Sequence, residues 1–426
     1  MNPLHQTTSP TSPSNSRDWF SLIQALSAGI AFLFLSALGI LLFLDGLWEN
    51  YINPFDASAL LSLWLPASAF LFLGLLFLPS VYLGLGKWFG WSTQVLHHFN
   101  YPSPIMFFFL FLVVVLVGNQ ISHSTSLIIT LLPFFHVLGI SLPVAFFLSL
   151  ALHNLPRQSI QRRWGAFQCG MGLAPIVILI LESVALIGFL LLIGLWIAIH
   201  PDLVKEVSHL LTLLKQSRPN PETTLNLIQP YLSQPLVVTA ILAFSALVIP
   251  MIEEAIKPLG VYLLYGKIWG EVDGFIIGAL SGGGYALLES MLFSNSGNDW
   301  AQTILSRSAT AAIHIFTSAL MGSAIAQAWQ DRKYSRLILA YGCSIFFHGS
   351  WNGMAMLYSI KAITEGNQGI WQNPFIHNLA NLAPFLILLL FLYTVSALWF
   401  FRNLIFKQSG KINFLPNQIT MNEDHL

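Results

Sequence analysis

The chain has 426 residues, of which 55% are hydrophobic and only 8% charged, with a mean hydropathy of +0.69 and no net charge at pH 7. A soluble domain carries about 25% charged residues, so this composition excludes a water-soluble globular protein and reads as a polytopic, all-α transmembrane bundle. The neutral balance offers nothing to nucleic acid, and two cysteines, Cys169 and Cys343, are too few and too far apart for a disulfide framework.

In chain order, residues 1–18 are rich in Ser, Thr, Pro and Asn and read as a disordered cytoplasmic tail. They do not have the pattern of a signal peptide, because the first apolar run begins near Trp19 and is of full spanning length. A helix needs about 20 apolar residues to cross a bilayer. On that basis the sequence predicts spans over 20–44, 58–83, 104–118, 127–153, 170–199, 236–265, 273–293, 304–328, 338–360 and 379–401, the third ending at Gly118-Asn119. Residues 19–199 form an N-terminal set of helices of unknown role, 200–235 an outer loop, 236–360 a polar core, and 361–426 a last span with a cytoplasmic tail. In the loop, Val204, Val207, Leu210, Leu211 and Leu214 repeat at helical spacing and predict an interfacial amphipathic helix. Pro219, Pro221, Pro230 and Pro235 then predict an irregular linker. With a cytoplasmic N-terminus, twelve of the eighteen Lys and Arg fall on the inner side: Arg17, Lys87, Arg157, Arg162, Arg163, Lys267, Arg332, Lys333, Arg336, Arg402, Lys407 and Lys411. Lys205, Lys215, Arg218 and Lys361 fall outside, which favours two cytoplasmic termini.

Ionisable groups within the spans carry the functional information, because each costs about 2.5–3.5 kcal/mol at a helix centre on insertion scales. Of ten glutamates, Glu182, Glu253, Glu254 and Glu289 lie inside spans, while all eight aspartates lie in loops, tails or at span edges. That argues against a buried aspartyl pair, and no His-Glu-x-x-His sequence occurs. Lys257 stands three residues after Glu254 and four after Glu253, within reach of both on one helix. Pro258 lacks an N–H and clashes with the carbonyl of Glu254, so the helix should bend where the acids sit. Irregular backbone at that depth must face protein or a wet cavity.

Gly274, Gly278, Gly282 and Ala286 make a small-residue stripe that Glu289 continues, which delivers the acid to a helix–helix interface. The next span repeats the device with His314, Ser318, Gly322 and Ala326, and Arg307 lies one heptad before His314. The ninth span carries His348 and Asn352. At about 1.5 Å rise per residue, Glu253, His314 and His348 fall within roughly 4 Å of their span midpoints, whereas Glu289 lies about 9 Å beyond its own. Glu182 and His136 stand apart from this set.

Paired carboxylates can divide the roles of proton holder and base. Two His with one or two Glu also make a divalent-metal shell with an open position for water. Lys257 would neutralise one acid, and Asn352 would donate to a developing oxyanion. These groups suit hydrolysis of a peptide bond, with metal-bound water and glutamate-activated water both open. A proton- or ion-coupled transporter relaying through Glu253, Glu254, Lys257 and Glu289 is the alternative, since broken helices at mid-membrane suit that too. A silent scaffold for membrane partners is the third reading.

The series Glu253-Glu254-x-x-Lys257, a Gly-rich segment with Tyr285 and Glu289, then His314, then His348-x-x-x-Asn352 resembles the PrsW family of intramembrane proteases. That family is grouped with CAAX prenyl endopeptidases and bacteriocin-processing membrane proteins. The resemblance covers residues 236–360. It implies cleavage of a membrane-anchored protein, such as an anti-sigma factor, in the plasma (inner) membrane of a bacterium. Carried over, Glu253 and Glu254 are the base and ligand pair, Glu289, His314 and His348 are ligands or water-orienting groups, and Lys257, Asn352 and Arg307 support them. A divalent metal, zinc foremost, would be held by Glu254, Glu289, His314 and His348, with a metal-free mechanism left open. Ser290 departs from the family pattern, where Asn is expected, and puts a supporting hydrogen bond in doubt.

Overall fold

A computed structural model describes residues 19–52, 57–91, 102–124, 127–156, 158–216, 221–294, 299–364 and 369–412. The predicted tail 1–18, with Arg17, and residues Arg157, Arg218 and Pro219 lie outside the described residues. Among the described residues every regular element is helical, as the need to pair each backbone group inside lipid requires.

Helices α1 (Trp19–Ile52), α2 (Ala57–Leu75), α3 (Leu78–Trp88), α4 (Pro104–Ser122) and α5 (Leu132–Leu152) form the N-terminal set. Helix α6 (Ile160–Gln168) runs through a π-helical turn at Cys169–Leu173 into α7 (Ala174–Ala198). The loop holds α8 (Pro201–Gln216) and α9 (Pro221–Leu232). Next, α10 (Pro235–Ala243) passes through a second π turn at Phe244–Val248 into α11 (Ile249–Ile256), followed by α12 (Leu259–Leu263). The chain closes with α13 (Glu271–Met291), α14 (Trp300–Asp331), α15 (Tyr334–Ile363) and α16 (Pro374–Ile412). Among the described residues, eight helical runs are long and apolar enough to cross a membrane. Adding α13 and α15, which are long but more polar, gives the ten runs read from the sequence.

Two local expectations differ. Helix α4 does not end at Gly118 but continues to Ser122. A Cβ on Gly118 would lie 2.2 Å from the Trp300 ring, so glycine is there to admit an indole. The linker after α8 is helical too: Pro221 and Pro235 occupy first-turn positions, where a missing N–H costs nothing, and Pro230 falls within the last turn of α9. No residue of α8 is buried by the rest of the protein.

Helix α13 is the centre of the bundle, with 17 of its 21 residues buried. One face meets α14 antiparallel, with Gly274, Gly278 and Gly282 against the backbone of Gly322, Ser318 and His314. A Cβ at Gly278 would lie 2.2 Å from the Ser318 carbonyl oxygen. The opposite face meets α6 and its π turn, where a Cβ at Gly284 would lie 2.0 Å from the Phe167 carbonyl. Both small-residue stripes predicted from the sequence thus face each other, and at these distances only hydrogen fits.

At Pro258 the helix does more than bend, and it stops. Helix α11 stops at Ile256, the Lys257 N–H still reaches the Glu253 carbonyl at 2.8 Å, and the Lys257 carbonyl accepts from Ser281 Oγ at 2.6 Å. The broken helix is thereby tied to α13.

Placing a side chain in the α13–α14 contact should be costly. Gly278→Val is expected to destabilise by about 1–3 kcal/mol or more through overpacking, read as a lower Tm of the detergent-purified protein. Gly188→Ala on α7, where nothing lies within 4 Å, serves as the control and should leave Tm unchanged or slightly raised.

Candidate functional site

Four helices deliver the polar groups to one place. Helix α11 brings Glu253 and Glu254, with Lys257 at its C-terminal end; α13 brings Tyr285 and Glu289; α14 brings Arg307 and His314; α15 brings His348 and Asn352. The Lys257 ammonium sits at the focus: Nζ lies 2.7 Å from Glu254 Oε1, 2.9 Å from Glu253 Oε2, 2.7 Å from His314 Nδ1 and 3.2 Å from His348 Nδ1. All five side chains are buried. A charge so far from water is tolerated only when paired and hydrogen-bonded, and Lys257 meets that condition through three helices at once. The Tyr285 ring adds a cation–π contact, its centroid 5.1 Å from Nζ.

The two histidines are held differently. An ammonium has donors and no acceptor, so the His314 Nδ1 facing it is the unprotonated nitrogen and the hydrogen sits on Nε2. Nε2 lies 2.6 Å from Glu289 Oε2, a short contact bent out of hydrogen-bond alignment. His348 Nδ1 is 2.8 Å from Glu254 Oε1, and the two imidazoles pack edge to face at 5.1 Å.

Glu289 reaches His314 although it stands near the C-terminal end of α13. The glycine register explains this, because the pairing of Gly282 with His314, continued one heptad along, sets Glu289 opposite Arg307. Their ion pair measures 2.9 Å and leaves the second carboxylate oxygen for His314. Ser290 does not leave a gap, since its Oγ accepts from Arg307 Nε at 3.3 Å and so helps aim the guanidinium. Asn352 Nδ2 donates to the Ser245 carbonyl at 3.1 Å, a group in the second π turn.

Two groups were given no role in the site by sequence reasoning. Tyr285, named only as part of the Gly-rich segment, packs its ring edge to face on His314 at 5.3 Å and lies 5.1 Å from Lys257 Nζ. Glu182, expected to stand apart, lies within electrostatic reach of Glu253, Glu289 and Lys257. It shares a face of α7 with Ala174 and Ile178, the two buried residues of that helix. His136 is fully buried on α5 with neither ring nitrogen hydrogen-bonded.

The residues present fit a divalent metal. Ligand atoms of Glu253, His314 and His348 all lie within 4.8 Å of one another, and one carboxylate with two imidazoles is a zinc-type donor set. Glu253 Oε2, Glu254 Oε2, Glu289 Oε2 and His314 Nε2 are buried without an aligned hydrogen bond. In formal charge, the three carboxylates of Glu253, Glu254 and Glu289 face two cations, Lys257 and Arg307, which leaves one negative charge without a partner. The sequence had assigned ligand roles to Glu254 and Glu289. Here Glu254 Oε1 is engaged by Lys257 and His348, and Glu289 by Arg307.

Removing the guanidinium should cost far more than removing the hydroxyl that aims it. Arg307→Met leaves the Glu289 carboxylate unpaired and is expected to destabilise by about 3–5 kcal/mol, whereas Ser290→Ala should cost about 0.5–1.5 kcal/mol. Thermal unfolding of the two purified variants tests the order.

The model of a family described as PrsW family intramembrane metalloprotease matches residues 158–389, more than half of the chain. Comparison with curated proteins and with solved structures finds no match. The matched region is wider than the 236–360 core read from the sequence: it begins ahead of α6, takes in Glu182, and runs into α16. All the residues gathered around Lys257 fall within it, and the chain belongs to the PrsW family of intramembrane metalloproteases.

Proposed function

We propose that this protein is an endopeptidase that hydrolyses peptide bonds of membrane-anchored proteins at the site around Lys257. The observation that carries this reading is the convergence of Glu253, Glu254, Glu289, His314 and His348, from four helices, on one buried locus. Glu253, His314 and His348 would hold a divalent metal, zinc foremost, which when bound supplies Lewis acidity toward a carbonyl oxygen and a water.

The remaining steps belong to the protein's own groups. Glu254 has one oxygen held by His348 and the other buried and unpartnered, so Oε2 is the acceptor for a proton from water. Glu289, braced by Arg307, fixes the ring of His314. The Tyr285 ring lines the same locus, 5.1 Å from Lys257 Nζ. The Glu289 side chain is 28% exposed whereas Glu254, Lys257 and His314 are fully covered, which favours approach of a substrate from the Glu289 side. Asn352, bound to Ser245, supports the backbone of the π turn. The bias of Lys and Arg supports cytoplasmic termini.

Glu254→Ala and His348→Ala are each expected to lower cleavage of a candidate membrane-anchored substrate by about 10²-fold or more, with unchanged elution of the purified protein. Retained cleavage in both variants would sink the proposal, and proton-coupled uptake by the protein in liposomes would favour a transporter. Metal analysis of the Glu253→Ala/Glu254→Ala protein should find less bound metal than in the parent.

A further inference from the structure

The position of Lys257 is unusual for a residue that only balances charge. A counter-ion to Glu253 and Glu254 would need contact with those two carboxylates alone. Instead its Nζ also lies against the Nδ1 atoms of both imidazoles, at 2.7 and 3.2 Å. The residues it touches include every member of the Glu253, His314 and His348 donor set, whose ligand atoms lie within 4.8 Å of one another. A group that close to all three donors excludes a second cation from the same place, by sterics and by like-charge repulsion.

The side chain is also tethered so that it can leave without the helix moving. Its backbone is anchored on both sides, by the Lys257 N–H to Glu253 and by Ser281 Oγ to the Lys257 carbonyl. Only the flexible four-carbon stem has to change rotamer. The Tyr285 ring, 5.1 Å from Nζ, adds to what holds the ammonium where it is.

We propose that the Lys257 ammonium is a built-in competitor for the metal site, so that divalent-metal binding and the observed Lys257 position are mutually exclusive states. This rests on the peptidase reading only for the identity of the site. The competition itself is a property of metal binding and needs no substrate. In this scheme the ammonium keeps two carboxylates and two imidazoles organised while no metal is held, and the metal, on binding, takes over their pairing.

The test uses the full-length protein in detergent, stripped with a chelator and titrated with Co²⁺, whose visible absorption reports its ligands. Lys257→Met is expected to bind Co²⁺ at least tenfold more tightly than the parent protein, and His348→Ala added to it should abolish that gain. Because Lys257→Met leaves two buried acids without a counter-ion, Glu254→Gln/Lys257→Met keeps the net charge and the three donors, and the same tightening is expected there. Equal or weaker Co²⁺ binding in both variants overturns the proposal, as does a gain that survives His348→Ala. Absence of Co²⁺ binding in every variant overturns it too, while cleavage by the parent protein would still uphold the peptidase.

Discussion

The burial of one ammonium governs this structure. A lysine at membrane depth is sustainable only when paired and hydrogen-bonded, and Lys257 finds its partners on its own helix and on α14, with His348 of α15 alongside. Three helices must therefore approach one atom to within hydrogen-bonding distance. That demand sets the other features. Pro258 ends the helix so that the Lys257 carbonyl turns to Ser281, and the glycines of α13 bring α14 close enough for His314 to reach. Glu289 and Arg307 then fall opposite each other by register alone.

Much of this was readable in the sequence because lipid makes polar residues expensive. The runs of apolar residues marked the helices, and the few ionisable groups inside them marked the site. The facing of Gly278 toward Ser318 followed from small-residue spacing. What could not be read was three-dimensional proximity without a periodic signal. Glu182 sits far from Glu253 in sequence, on a helix with only two buried residues, and nothing in its neighbours' chemistry revealed which way it points. The π turns at Cys169–Leu173 and Phe244–Val248 were equally hidden, since one extra residue per turn leaves no trace in composition. Local proline rules also misled at α9, where first-turn placement converts a helix breaker into a helix starter.

The two halves of the chain solve different problems. Helices α1 and α7 bury few residues and face outward along most of their length, whereas α13 and α14 are enclosed by protein. Polarity tracks this enclosure only in part. Glu289 and His348 reside on α13 and α15, the two long helices that fall short of the apolarity needed to cross alone. The run Pro235–Leu263, which carries Glu253, Glu254 and Lys257, is nevertheless as apolar as α1.

That enclosure bears on how the protein reaches its membrane. A helix with glycines at its contact faces and acids at both ends gains little from lipid by itself, because its stability comes from backbone packing that exists only beside α14 and the α6 turn. During synthesis α13 emerges before α14 has been made. Until α14 is made, α13 lacks the partner that its glycines admit.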